Sequence, residues 1–284
     1  MKFFVLGCNG MAGHMISLYL SERGHEVVGF DRTAPRYVKG YAGDARDVNA
    51  LREIIDAGRF DSVINCIGIL NRSAEENKAL ATFLNAYLPH YLADITDGTD
   101  TQIIHMSTDC VFSGKRGSYT EDDFPDGETF YDRSKALGEL CDGKNITLRN
   151  SIVGPDINPD GIGLLNWFMQ QKGEVNGFTR AMWTGQTTLR LAKTMEVAAK
   201  ERAHGLYNTV PDCSISKYEL LKLFNRYLRA GEVTVHPVEG VNADKSLKRT
   251  RFEFNCPIPD YETMVAELAD WMAQHRDMYP HYDL

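Results

Sequence analysis

Short apolar runs alternate with helical periodicity through the first half of the 284-residue chain. Phe3-Phe4-Val5-Leu6 is continuous rather than alternating and stops at a glycine, which suits a strand covered on both faces of a parallel sheet. From Met11 to Arg23 the apolar positions Met15, Leu18, Tyr19 and Leu20 follow a helical spacing. The same reading predicts strands at Glu26–Phe30, Ser62–Cys66 and Gln102–Met106, with another ending before Gly43. It predicts helices at Asn49–Ala57 and Ala79–Asp94. Strand and helix take turns, which argues for right-handed βαβ units and a doubly wound parallel sheet of the Rossmann type.

A helix through Tyr131, Lys135 and Leu140 and a short strand at Ile146–Leu148 continue this order. Beyond Gly154 the pattern loosens. Pro155–Gly161 reads as a loop, and helical patterns at Leu164–Gln171, Leu189–Glu201, Lys217–Tyr227 and Tyr261–His275 dominate the rest. The division expected is a nucleotide-binding domain over 1–154 and a smaller, mostly helical substrate lobe over 155–284. Within that lobe, the helix and strand of about 187–210 are free to return to the first sheet.

Composition narrows the classes. Hydrophobic residues at 43% and charged ones at 25% are ordinary for a globular domain. A formal charge of −8 speaks against a nucleic-acid surface, which needs clustered Lys and Arg. The six cysteines form no Cys-x-x-Cys pair and no metal spacing, so they read as free thiols of a cytoplasmic protein, with no metal site expected. Cys8, Cys66 and Cys110 close apolar runs, where a small apolar side chain packs well. Glycines at 7, 10 and 13 interrupt the apolar N-terminus before it resembles a signal peptide, and no later run approaches a membrane span.

Gly7-Cys8-Asn9-Gly10-Met11-Ala12-Gly13 stands between the first strand and the first helix. Its glycines permit a tight turn, close approach of a pyrophosphate and close packing of helix on strand, while the helix start offers free N–H groups to phosphate. Asp31 follows Gly13 by 18 residues, near where an acid receives the adenosine ribose of NAD. The adjacent Arg32 suits the 2′-phosphate of NADP, so both NAD(H) and NADP(H) are expected to bind. Asp44, with Ala45 beside it, is placed to meet the adenine edge, and Asp47 to cap the next helix.

Tyr131 and Lys135 are four apart, so a helix brings them to one face. A phenol with an ordinary pKa of about 10 becomes a usable acid or base when a neighbouring ammonium lowers it. Ser107-Thr108-Asp109 ends an apolar run, with Thr108 23 residues upstream of Tyr131.

With Asn65-Cys66-Ile67-Gly68, Ser107-Thr108-Asp109-Cys110-Val111-Phe112-Ser113-Gly114, Phe130–Glu139 and Leu148–Gly154 in view, the first 155 residues resemble the extended short-chain dehydrogenase/reductases. The likeness is greatest to their dTDP-4-dehydrorhamnose reductase branch. This resemblance implies an NAD(P)-dependent oxidoreductase that reduces the 4-keto group of a nucleotide-linked 6-deoxyhexose for polysaccharide or glycan synthesis. Tyr131 would give the proton, Lys135 would hold the nicotinamide ribose and lower the Tyr131 pKa, and Thr108 would position the keto oxygen. It further implies cofactor contacts at Cys66, Ile67 and Gly68 and a supporting role for Asn85.

Substrate contacts are expected at Asp109 and Asn150. Arg180 and Trp183 are candidates for a diphosphate and for stacking on a base or sugar, with surface and packing roles as alternatives. Arg251 belongs to a basic run with Lys245, Lys248 and Arg249 that suits the same diphosphate or a solvated face. Related 4,6-dehydratases carry Thr-Asp-Glu where this chain has Thr108-Asp109-Cys110, which disfavours dehydration. Cys110 also replaces the Tyr usual in the reductases, and a Gly-x-Pro-Thr sequence is missing near Gly177. An epimerase, or a non-catalytic NAD(P)-binding regulatory subunit, remains the alternative. The sugar, the nucleotide, the product stereochemistry and the oligomeric state, up to a homodimer, stay open.

Overall fold

The computed structural model describes residues 1–283. Seven strands form one sheet: β1 (Lys2–Leu6), β2 (Glu26–Asp31), β3 (Lys39–Ala42), β4 (Ser62–Asn65), β5 (Gln102–Met106), β6 (Ile146–Arg149) and β7 (Gly205–Asn208). Their spatial order is β7-β6-β5-β4-β1-β2-β3, and every neighbouring pair is parallel. The order reverses between β1 and β4, so the loops leaving these strands part there and open a crevice at the carboxyl edge.

Successive residues of the central strands feed opposite cores. Phe3, Val5, Ile64 and Ile104 pack on the side of α1 (Met11–Glu22), together with Ile16 and Leu20. Phe4, Leu6, Val63 and Ile103 pack on the other side with Leu51 and Ile55 of α2 (Val48–Gly58) and Leu88 and Leu92 of α3 (Leu88–Ile95). A continuous apolar run is therefore a strand whose two faces both need hydrophobic cover. Fully burying one such side chain contributes about 1.5–3 kcal/mol.

Local chemistry sets the helix ends. Asp47 caps α2 as expected, accepting the Ala50 N–H at 3.1 Å. Thr129 and Asp132 form a reciprocal capping box at the start of α4 (Phe130–Leu137). This helix ends at Leu137, earlier than the run to Leu140 suggests, with Gly138 as its C-cap; residue 138 is held to glycine because a Cβ there would sit 1.9 Å from the Asn85 carbonyl oxygen.

The single helix expected over 79–94 is instead three pieces: Lys78–Ala81, a wide π turn at Thr82–Tyr87, and α3. Proline at 89 lacks the N–H that would continue the ladder, and the wide turn carries Asn85.

After β6 the chain leaves the sheet, then comes back through α5 (Thr188–Glu201) and β7, which pairs with β6 along Gly205–Asn208. The remaining segments make the lobe around the Leu164–Met169 helix, α6 (Lys217–Leu228) and α7 (Tyr261–Gln274). The lobe also holds strands that periodicity does not indicate. Glu174–Phe178 pairs with Thr234–Val238, and Ser151–Val153 with Gly185–Thr187. Phe168, Leu220, Phe224, Met264 and Leu268 share one core that reaches Met15 of α1, so the lobe packs directly on the unit built around the seven-stranded sheet. Among the described residues, no helix is long and apolar enough to cross a membrane.

Candidate active site

The turn after β1 is closed by Gly7, whose φ of +79° belongs to the region that glycine favours. Gly13 is required by contact: a Cβ there would sit 2.0 Å from the Gly7 carbonyl oxygen. With Gly10 at its N-cap, α1 has no side chain capping its first turn, which leaves N–H groups for a phosphate. These features fit the pyrophosphate of a dinucleotide.

Two connected cavities extend from this turn. One, of about 370 Å³, is lined by Gly7, Gly10, Asp31, Arg32, Asp44 and Ala45, and by Cys66, Ile67 and Gly68. The other, of about 430 Å³, includes Gly10, Met11, Gly13, Cys66, Ile67, Gly68, Thr108, Asp109, Tyr131, Lys135 and Asn150. Gly10, Cys66, Ile67 and Gly68 line both, so a single cleft runs from Asp31 to Tyr131.

At its Asp31 end, both Asp31 carboxylate oxygens already accept backbone N–H groups, from Asn9 at 3.0 Å and Arg32 at 2.7 Å. Asn9 lines neither cavity and fastens the next loop, bonding Thr33 Oγ1 at 3.1 Å, the Ala34 carbonyl at 3.1 Å and the Arg36 N–H at 3.0 Å. Asp44 is bound by Arg46 at 2.5 Å, which holds its carboxyl below the usual range.

At the other end the catalytic candidates converge. Thr108 caps the short turn Asp109–Val111, accepting the Cys110 N–H at 3.1 Å and donating to Asp109 Oδ1 at 3.1 Å. Asp109 is buried, and that burial raises its carboxyl pKa. Tyr131 is 7% exposed. Burial raises its phenol, Cys110 adds to the shift, and Thr108 opposes it.

The expected lowering of Tyr131 by Lys135 gives way here to a phenol governed by burial. Lys135 is buried as well, and its Nζ donates to the Met106 carbonyl at 2.8 Å and lies 3.4 Å from His105 Nε2. Burial lowers Lys135 to about 8, against the pull of Glu139 and Cys66.

Asn85 braces the site from behind. Its Oδ1 accepts the Ile69 N–H at 2.8 Å, while Nδ2 donates to the Ile69 carbonyl and to Ser134 Oγ, each at 3.0 Å. It thus ties the loop after β4 to α4. Asn150 lines the cleft and accepts from Thr209 Oγ1 at 3.2 Å.

Three lobe candidates lie elsewhere. Trp183 packs in the lobe core, 5.6 Å from the Tyr261 ring, so it offers no face for stacking. Arg180 is exposed and paired with Glu239 at 3.1 Å. Arg251 bonds the Leu206 carbonyl at 3.0 Å and Asp122 at 2.6 Å.

Sequence reasoning missed Ser151, Ile152, Asp156, Ile162 and Gly163, which complete the cleft wall beyond β6. The β-branched Ile152-Val153 followed by glycines at 154, 161 and 163 was the available signal. It also missed His105, whose only mark is a polar residue inside an apolar strand.

A sequence profile described as the RmlD substrate binding domain matches residues 1–253. The chain belongs to this family. A Haloferax volcanii relative named as a probable low-salt glycan biosynthesis reductase is 36% identical over 195 residues, covering 66% of this chain and 60% of the relative. A Streptomyces griseus dTDP-4-dehydrorhamnose reductase is 31% identical over 140 residues, 49% of this chain and 43% of that one. The chain thus aligns with about half the length of these curated relatives. The RmlD-type fold itself extends further. A solved Clostridium acetobutylicum dTDP-4-dehydrorhamnose reductase superposes with a TM-score of 0.79 at 23% identity, over 96% of this chain and 100% of that one.

Proposed function

We propose that the protein reduces the 4-keto group of a nucleotide-linked 6-deoxyhexose with NADPH or NADH, supplying precursors for polysaccharide or glycan assembly. The observation that carries this reading is the continuous cleft joining the glycine turn to Thr108, Tyr131 and Lys135. The names of the relatives support the substrate class. Bound at the glycine turn, with its adenosine toward Asp31, Arg32, Asp44 and Ala45, a reduced nicotinamide supplies the electron pair and hydrogen that the keto carbon takes up.

The chain's own groups do the rest. Tyr131, kept protonated by burial, donates its proton to the keto oxygen. Thr108 turns its hydroxyl from Asp109 toward that oxygen and stabilises the charge gathering there. Lys135 holds positive charge beside the reacting phenol. Asp109 and Asn150 contact the sugar. Cys110 supplies no carboxylate for expelling water, so the chemistry stops at reduction. Residues 155–284, apart from the returning segment of about 187–210, hold the sugar nucleotide.

The test is loss of nicotinamide absorbance with a panel of keto-sugar nucleotides. Tyr131→Phe is expected to lower kcat by about 10²–10⁴ while cofactor binding persists. A kcat within a few-fold of wild type ends the mechanism. Because the reaction uses charged Lys135, the rate falls as pH rises through about 8, the value to which burial lowers that side chain.

A further inference from the structure

His105 is fully buried in β5, beneath the cleft, and no step above uses it. Two side-chain nitrogens meet its ring. Asn65 Nδ2 lies 3.3 Å from His105 Nδ1, and Lys135 Nζ lies 3.4 Å from His105 Nε2. The orientation of the Asn65 amide is decided by its other end, where Oδ1 accepts the Ile67 N–H at 3.1 Å. Its NH₂ group therefore faces the imidazole, and His105 Nδ1 must accept. A neutral imidazole carries one proton, so that proton sits on Nε2 and points at Lys135.

An ammonium has only donors to offer against an N–H, whereas an uncharged amine has a lone pair. We propose that His105 is a positioning residue: held by Asn65, it turns its Nε2–H toward Lys135 and favours the uncharged amine of that side chain. Resting on the reductase reading, this gives the contact a purpose. Once Tyr131 has passed its proton to the keto oxygen, loss of a proton from Lys135 into the cleft leaves an amine that accepts from His105 Nε2–H. Solvent then restores the proton to Lys135.

The other groups around the pair act consistently. Burial and the Lys135 charge both keep His105 neutral, with His90 of α3 adding to them. Facing Lys135 are Glu139 beyond the end of α4 and the Cys66 thiol from the loop after β4, both of which favour the ammonium. Glu139 is itself matched by Arg149 at 2.6 Å and bonded by Ser107 Oγ at 2.7 Å. The balance at Lys135 thus lies between burial and His105 on one side and a largely neutralised carboxylate on the other.

Long-range proton–nitrogen NMR on ¹⁵N-labelled full-length protein reads the ring directly, and the signal lost in His105→Gln assigns it. The expected form is Nε2–H at neutral pH; an Nδ1–H form overturns the proposal. In His105→Gln, an amide oxygen can turn to accept from the ammonium, so the alkaline limb of kcat/KM should move upward by about half a pH unit or more. A limb that stays in place, with only kcat reduced, makes His105 a packing residue and also overturns the proposal. Should His105→Gln fail to fold, the tautomer in the unaltered protein decides alone. If no keto-sugar nucleotide is turned over, the functional reading falls while the ring signal still judges His105.

Discussion

The half of the chain before Gly154 and the lobe after it obey the same physics but differ in how far apart in sequence their partners lie. In the first half most of the cleft's residues lie at a strand end or in the turn that follows it. Gly7, Asn65-Cys66-Ile67-Gly68 and Thr108 each leave a strand at the carboxyl edge, so their positions follow once the strands are known. The lobe is built by distant pairs. Glu174–Phe178 finds its neighbour at Thr234–Val238, and the Trp183 ring packs on Tyr261. A functional guess there has no local geometry to rest on, and an aromatic or basic residue is as readily part of the core or surface.

Trp183 offers the sharpest break between the two halves. At 7% exposed, it lies in the core with Leu189, Leu220 and Tyr261. Trp183→Ala is expected to destabilise the protein by about 3–5 kcal/mol, read as a shift in denaturant midpoint, with KM for the sugar nucleotide nearly unchanged in the folded fraction. A large rise in KM with intact stability would return Trp183 to the substrate and erase the contrast.

Why so much of the first half was legible is plain from Phe3 to Leu6. Four consecutive apolar residues are needed when alternate side chains enter two different cores, and the run is the direct imprint of that arrangement. The glycine turn was legible because a Cβ at Gly13 has nowhere to go. The π turn was not, because it arises from how Asn85 bridges Ile69 and Ser134, contacts between separate segments. The Lys135 environment was hidden for the same reason: spacing placed it beside Tyr131, while burial and the β5 backbone decide its charge. Cys66 and Cys110 were read as packing thiols, and burial does push both up to about 12, which keeps them inert.

Arg32 tests a finer reading within the legible half. Asp31 spends both oxygens on backbone N–H groups, which weakens its claim to the ribose, whereas Arg32 lines the cavity proposed for the adenosine. Arg32→Ala should raise KM for NADPH about tenfold, roughly 1.4 kcal/mol, and leave KM for NADH within about twofold. Equal losses with both cofactors would make Arg32 a general cavity residue and return discrimination to Asp31.

The smallest expected effect completes the comparison. Arg180 resembles a diphosphate ligand in composition only: it is exposed, its guanidinium meets Glu239 at 3.1 Å, and it is absent from the cleft wall. Exposed ion pairs contribute about 0–1 kcal/mol, because water already solvates both charges and two long side chains must be ordered. Arg180→Ala should therefore change stability by no more than about 0.5 kcal/mol and leave KM for the sugar nucleotide within about twofold. A tenfold rise in KM would require the strand from Ala181 to Trp183 to swing its leading arginine into the cleft when substrate arrives. The lobe would then be a moving jaw rather than a fixed wall, and its illegibility in sequence would come from motion as well as from distant pairing.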